Sequence, residues 1–272
     1  MTTPAHLQIE QRDRRYEIHP EALRTWHPEG PHVAHFFNAL SIFFPEGEKM
    51  FIEAVRHDRD RIEDPALASD VQAFVGQEAM HSREHRRYNE ALAEAGLPVQ
   101  ALEGWLKGFL ERVKERTSPL ERLAVTIALE HFTAILAGGL LEEDGLGDSE
   151  IAEVWRWHAI EETEHKAVAY DVFDTVTERP FLAYLLRSGV MLSTTVLFWA
   201  LVFRFHWVLV RADGMAGDWR GWLGLGRYLW VRPGVLRRLF LPWARYFRPS
   251  FHPWQDDNHH LVETWKATLE AA

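Results

Sequence analysis

Residues 157–165 read Trp157-His158-Ala159-Ile160-Glu161-Glu162-Thr163-Glu164-His165, and residues 77–81 read Gln77-Glu78-Ala79-Met80-His81. Each contains Glu-x-x-His, and the two copies, Glu78/His81 and Glu162/His165, stand 84 residues apart. At 3.6 residues per turn, positions i and i+3 lie within about 60° of one another, so both side chains of a pair leave one face of a helix. His158, four residues before Glu162, extends that stripe. One such motif alone is ordinary on a solvated helix. Two copies, each preceded by another glutamate in helix-like sequence (Glu48 and Glu130), give the ligand order of a dinuclear carboxylate site in a four-helix bundle. The expected arrangement is one Glu-x-x-His pair per metal, with Glu48 and Glu130 bridging or terminal.

The surroundings of these residues sharpen the reading. Glu130 follows the apolar run Leu123–Leu129 and precedes Phe132-Thr133-Ala134-Ile135-Leu136-Ala137. A carboxylate there must be paired, metal-bound or neutral. Glu46 and Glu53 compete with Glu48, but Glu53 faces elsewhere if Glu48 points inward. Glu161 competes with Glu162, which is preferred for its i,i+3 match to His165. His85 and His131 are expected beside the ligands or on the surface, and Tyr88 and Tyr170 in the core near the ligand helices.

Composition limits the chemistry. The chain has 272 residues, 47% apolar and 12% aromatic, enough for one large core or for a bundle with an appended region. It has no cysteine, which excludes disulfides, thiolate metal sites and cysteine nucleophiles, while 15 histidines favour metals that accept carboxylate and imidazole. Met1 to Gln11 carries no signal-like apolar run, so a cytoplasmic location is expected.

Along the chain the pattern is helical nearly throughout, and no strand-period alternation is found. Residues 1–30 are a polar lead-in. A first helix is expected from Val33 to Arg61, interrupted near Pro45 and Gly47, with Glu48 just beyond the break. The second opens at Asp64-Pro65 and ends at Gly96-Leu97-Pro98. Val99–Arg116 serves as a crossover, Ser118-Pro119 opens the Glu130 helix, which stops at or soon after Gly138-Gly139, and a turn over 144–147 leads to a cap at Asp148 or Ser149. The fold class is therefore all-α: a ferritin-like four-helix bundle with a crossover helix over residues 31–180, followed by an appended apolar, Trp- and Arg-rich helical region over 181–272.

That last region has a different character. Residues 1–180 carry 19 Lys and Arg against 34 Asp and Glu, whereas 181–272 carry 11 against 6, and eight of the 12 Trp fall at or after Trp199. Ser188–Phe203 is free of charge and flanked by Arg187 and Arg204, a run short of the roughly 20 apolar residues of a spanning helix. Three placements stay open over 188–210: buried on the bundle or at a homodimer interface, lying in a membrane interface with the Trp and Arg residues among headgroups, or membrane-spanning. Nucleic acid is not an expected partner, because the rest of the chain is acidic and no reading motif is present.

Phe44-Pro45-Glu46-Gly47-Glu48, Gln77–His85, Ala128–Ala134 and Trp157–Asp171 together resemble a family of predicted metal-dependent hydrolases within the ferritin-like superfamily. The His-x-x-x-Glu-x-x-His pattern of His158, Glu162 and His165 is similar to that of di-iron arylamine N-oxygenases, in which the additional His also ligates iron. The resemblance implies a metal shell of Glu48, Glu78, His81, Glu130, His158, Glu162 and His165 around two divalent ions. Iron is favoured, with manganese or zinc as alternatives. The first expectation is oxygen activation to oxidise a small, lipophilic molecule, with an external electron donor. Hydrolysis by a metal-bridged hydroxide is the alternative, and a non-catalytic metal-binding or membrane-associated role the third. The expected partners are a small-molecule substrate, a membrane surface met through residues 181–250 on its cytoplasmic side, and a second copy of the chain.

Overall fold

The computed structural model describes residues 9–143 and 145–271, with side chains through residue 267. Residues 1–8 of the expected lead-in and Asp144 of the expected turn lie outside the described residues. Among those described there is no strand, and the α-helices are α1 (Pro31–His57), α2 (Pro65–Glu94), α3 (Val99–Arg116), α4 (Pro119–Glu143), α5 (Glu150–His165), α6 (Val168–Val176), α7 (Pro180–Ala212), α8 (Trp219–Trp230), α9 (Val235–Arg245) and α10 (His259–Ala271). The protein is thus an all-α bundle. α1 packs along α2, and α4 along α5; α2 also meets α5 and α6, and α1 meets α4. α3 crosses on the outside of α1 and α2.

Local sequence chemistry accounts for both ends of α2 and the start of α5. Asp64 caps α2 by accepting from the Ala66 amide at 3.0 Å, Pro65 fills the first turn, and Gly96 at φ 84° turns the chain away afterwards. Ser149 caps α5 by accepting from Ala152 N at 3.1 Å, which settles the choice between Asp148 and Ser149. α4 runs through Gly138-Gly139 to Glu143.

α1 departs from expectation. It is unbroken from Pro31 to His57, with Pro45 inside it and Glu48 on the same helix, and Arg59–Arg61 form a separate 3₁₀ turn. Proline at position 45 deprives the Ser41 carbonyl of its helical donor. The Asn89 side-chain amide of α2 takes that carbonyl at 3.2 Å, so the helix continues without a buried orphan.

Two hydrophobic clusters hold the bundle. One joins α1, α2, α3, α5, α7 and α8 through Phe36, Leu92, Leu106, Trp155, Phe205 and Leu229; the other joins α1, α2, α4, α6 and α7 through Val55, Phe74, Phe132, Val172 and Met191. Both draw on residues beyond 180, so the tail shares its core with the bundle. Each fully buried side chain such as Phe205 contributes about 1.5–3 kcal/mol. α7 lies on α1 and α4 through Met191, Val202, Phe205 and Leu209, while its outer side leaves Phe181 and Val196 70% and 74% exposed. By length and hydropathy α4 and α7 could each cross a membrane, but α4 is largely buried in the protein and α7 largely not.

Candidate metal centre

The bundle interior brings seven acidic and imidazole side chains together. Glu48 comes from α1, Glu78 and His81 from α2, Glu130 from α4, and His158, Glu162 and His165 from α5; all are buried. One donor atom from each of Glu48, His81 and His158 lies within 4.8 Å of the other two, and the same holds for Glu78, Glu130 and His165, and for Glu78, His81 and Glu162. This arrangement differs from one Glu-x-x-His pair per ion. His81 groups with Glu48 and His158, whereas Glu78 groups with Glu130 and His165, because three residues advance a helix by about 4.5 Å and the two members reach different points along the bundle axis. Glu78 and His81 share a group only where Glu162 joins them.

Hydrogen bonds orient two of the three imidazoles, those of His165 and His158. Gln77 Nε2 donates to Glu164 Oε2 at 2.7 Å and to the Glu10 carbonyl at 3.0 Å, so its Oε1 is left as the acceptor facing His165 Nδ1 at 2.8 Å. His165 therefore carries a proton on Nδ1, and Nε2 is the nitrogen that turns inward, where it binds either a second proton or a cation. That atom stands 3.1 Å from Glu78 Oε1, 3.5 Å from Glu130 Oε2 and 3.7 Å from Glu162 Oε2, with hydrogen-bond geometry to none of them.

A second relay acts on His158. Asn89 Nδ2 donates to Ser41 O and to Glu103 Oε1, leaving Oδ1 to accept from the Ser41 hydroxyl at 2.8 Å. Ser41 Oγ must then accept from His85 Nδ1–H at 2.9 Å, and His85 Nε2 from His158 Nδ1–H at 2.7 Å. The Nε2 lone pair of His158 is thus turned towards Glu162 Oε1, 2.8 Å away. Two acceptors cannot hold that distance unaided. A proton or a cation has to lie between or beside them.

His81 faces Glu161 and Glu162 without a hydrogen bond to either. Its Nε2 lies 3.0 Å from Glu161 Oε2 and its Nδ1 3.7 Å from Glu162 Oε1. Glu161 accepts from Trp157 Nε1 at 2.9 Å and pairs with Arg12 at 3.2 Å, so it acts as an anchored carboxylate behind the imidazole. Arg12 reaches it because Gly76 leaves room for the lead-in: a Cβ there would meet Gln11 Oε1 at 2.4 Å. Arg12 also pairs with Glu164 at 2.8 Å, as does Lys266 at 2.9 Å. Glu48 accepts from the Ser82 hydroxyl at 2.9 Å through its Oε2.

The electrostatics are those of too much negative charge in too little water. Burial, then the neighbouring carboxylates, hold Glu48 and Glu130 well above the usual carboxylate range; burial also raises Glu78, despite His165. Burial opposes the charge of Glu162, but His158 and His165 outweigh it and hold its pKa low. Burial likewise works against a charged His165, and Glu162 and Glu78 overcome it, raising its pKa well above the ordinary value. Burial pushes Glu161 up to about 8 against the pull of Arg12. Among the described residues, nine atoms of the seven donor side chains are buried without a hydrogen-bond partner, both oxygens of Glu78 and of Glu130, one each of Glu48 and Glu162, both nitrogens of His81, and His165 Nε2, and Glu161 Oε2 beside them is a tenth. Each such atom costs about 1–3 kcal/mol when left unpaired. Oxygen and imidazole-nitrogen donors with inward lone pairs are what a divalent transition ion requires, so the residues fit a metal.

An apolar cavity of about 480 Å³ adjoins this cluster. Glu48, His158 and Glu162 line its buried end, Phe36, Phe37, Phe44, Trp155 and Phe198 form much of its wall, and Arg227, Arg232 and Arg238 lie at its exposed end.

The remaining sequence candidates fall outside the cluster. Glu53 is exposed and pairs with Lys114. His131 is buried and contacts the Pro242 carbonyl, Tyr88 donates to Asn38 Oδ1, and Tyr170 donates to the Phe251 carbonyl. His85 is buried next to the cluster and acts through His158. Sequence reasoning did not single out Gln77, Ser41, Asn89 or Arg12. Gln77 could have been found as a polar residue on the stripe of His81, four residues away; the other three make contacts that no local spacing encodes.

A helical bundle with this buried carboxylate and imidazole cluster defines a metal-dependent protein. A family model described as predicted metal-dependent hydrolase matches residues 10–257, and the chain belongs to that family. The matched stretch runs from the Arg12 lead-in through α9, so the tail is part of what the family shares. The chain is accordingly read as a metal-dependent enzyme. No curated protein and no solved structure matches it.

Proposed function

We propose that this protein is a hydrolase working with two divalent metal ions, one drawn by Glu48, His81 and His158, the other by Glu78, Glu130 and His165, with Glu162 between them. The observation that carries the reading is the pair of fixed tautomers. Gln77 and His85 each force an Nε2 lone pair towards carboxylates in a dry interior, an arrangement that a cation stabilises and that is otherwise relieved only by protons. When bound, such ions polarise a substrate oxygen and lower the pKa of a water, which is the chemistry of hydrolysis. The chain's own residues orient and exclude. Gln77 and His85 hold the imidazoles of His165 and His158, Glu161 stands 3.0 Å from that of His81, and the aromatic wall of Phe36, Phe37, Phe44 and Trp155 keeps bulk water out and selects a lipophilic substrate.

A second reading, oxidation by a di-iron centre of ferritin-like type with an external electron donor, is supported by the donor set. A Glu from α1, a Glu from α4 and a Glu-x-x-His from each of α2 and α5 are the ligand pattern of such bundles, with His158 in addition. The sequence alone ranks oxidation first; the family description favours hydrolysis. Metal analysis of protein reconstituted anaerobically with iron, and separately with zinc or manganese, decides between them. Two ions per chain, silence towards oxygen, and turnover of ester or phosphoester substrates support hydrolysis. Oxygen-dependent optical and Mössbauer changes in the iron form, without such turnover, support oxidation. Failure to retain any metal overturns both.

A further inference from the structure

The cavity joins two chemically opposite ends. Inside, apart from the metal-cluster residues, the Thr133 and Tyr228 hydroxyls and the Trp155 indole N–H, its wall is apolar, and between those residues and the arginines it carries no charged group to pair with an ion. At the exposed end Arg238 pairs with Glu142 and Glu143, whereas Arg227 and Arg232, among the described residues, face no carboxylate within ion-pair distance. Glu29 is the one other acidic side chain at that end. Two uncommitted guanidiniums against one carboxylate favour a ligand with a single negative charge there, and the interior accepts only hydrocarbon or aromatic surface.

We propose that the ligand of this cavity is a single-chain amphiphile with an anionic head, of the fatty-acid class, bound with its carboxylate between Arg227 and Arg232 and its chain running inward to Glu48, His158 and Glu162. The proposal deepens the metalloenzyme reading and rests on it only for what happens at the inner end, where the reacting bond is remote from the charge. Exposed Trp230 and Val231 beside Arg232, and Phe240 and Leu241 beyond Arg238, give the mouth an apolar rim suited to loading such a molecule.

Gly139 provides the decisive variant. It lines the cavity, and a Cβ placed on it meets nothing within 4 Å, so the root of a larger side chain is accommodated there and the ring of Gly139→Phe is expected to take up space at the cavity wall. Laurate, methyl laurate and dodecyltrimethylammonium, each below its micellar concentration, are titrated into the metal-loaded and metal-free protein by calorimetry, with metal content measured on the same samples. Laurate is expected to bind more tightly than the other two. Arg227→Gln and Arg232→Gln are each expected to weaken laurate roughly two- to fivefold, the size of an exposed ion pair, and to leave methyl laurate unchanged. Gly139→Phe is expected to weaken all chain binding more than tenfold at unchanged thermal stability. Equal affinity for acid and ester, or indifference to both arginine variants, overturns the anionic head. Laurate binding that survives Gly139→Phe overturns the cavity as its seat, and binding seen only with metal and insensitive to the arginines places the head at the ions instead. Protein that retains metal but binds no laurate sinks this proposal alone. Protein that binds laurate but retains no metal sinks the metalloenzyme reading alone.

Discussion

Replacing Gln77 by leucine removes the group that selects the His165 tautomer while keeping a side chain of similar size. In the native protein Nδ1–H donates to Gln77 Oε1 at 2.8 Å, and the amide is itself pinned by Glu164 and Glu10. Leucine offers no acceptor, so a buried N–H is left unpaired at a cost of about 1–3 kcal/mol, and Nε2 loses its assignment as the inward lone pair. Removing an outer partner of a metal-bound imidazole typically weakens metal binding ten- to a hundredfold, or about 1.4–2.7 kcal/mol. The two figures agree in size because the energy that orients the ring is the energy lost. Competition against a chromophoric chelator, with zinc or manganese, should show that drop, and the metal-induced rise in melting temperature should shrink with it. A Gln77→Leu protein that melts lower without metal yet binds metal like the parent would refute the reasoning. Gln77 would then be only a strut between α2 and the Glu10–Arg12 segment.

Ser41→Ala breaks the relay two hydrogen bonds from His158, so metal affinity should fall, but less than in Gln77→Leu; the same chelator competition measures both. Glu130→Gln removes a carboxyl whose ionised form burial disfavours, so it should raise the melting temperature of the metal-free protein at pH 8 and abolish most of the gain on adding metal; a lower metal-free melting point at that pH would contradict the electrostatic account. The pH dependence has a definite sign. Glu48, Glu78 and Glu130 have folded pKa values above their ordinary 4.5, so the stability they contribute to the metal-free protein is complete below 4.5 and is lost as pH rises through the folded values. His81 and His85, lowered from 6.5 by burial, act oppositely but only up to about their ordinary value. Above pH 7 the gap in melting temperature between metal-loaded and metal-free protein should therefore widen with pH, which a calorimetric series from pH 7 to 9 checks. Anionic phospholipid vesicles should pellet the protein through the exposed side of α7 and the α8–α9 rim, and Phe240→Ser with Leu241→Ser should reduce pelleting; protein that stays in the supernatant as a dimer would assign that face to a second copy instead.

The legible part of this protein is the part encoded by local spacing. Glu78 and His81, or Glu162 and His165, announce themselves because three residues on a helix always share a face, and Glu130 because a lone carboxylate in an apolar run needs a partner wherever the run folds. Spacing could not show which donor meets which. His81 turns to Glu48 and His158, 33 and 77 positions away in sequence, and that choice is made by how far apart along the bundle axis the helices present their side chains. The tail shows the same division. Its charge and Trp content mark it as different, yet Phe205 and Met191 bury themselves in the bundle's own clusters, a contact that composition does not report. Arg12 is the extreme case: a guanidinium in a polar lead-in, with nothing nearby in sequence to suggest that it ends between Glu161 and Glu164.

Pro45 misleads for a reason that connects fold to site. Read locally, it ends a helix. In the folded protein the carbonyl it orphans, that of Ser41, is claimed by Asn89, and the claim dictates which end of the Asn89 amide faces the Ser41 hydroxyl. From there each donor has one choice, through His85 to His158, until a lone pair points at Glu162. The irregularity in α1 and the tautomer at the cluster are therefore two ends of one hydrogen-bond chain, and a helix donor missing at position 45 helps set the protonation of an imidazole on α5. A buried relay of this kind is costly if any member is unsatisfied. That it is complete from Asn89 to His158, and stops only where His158 meets a carboxylate, is the strongest physical reason to place a cation at its end.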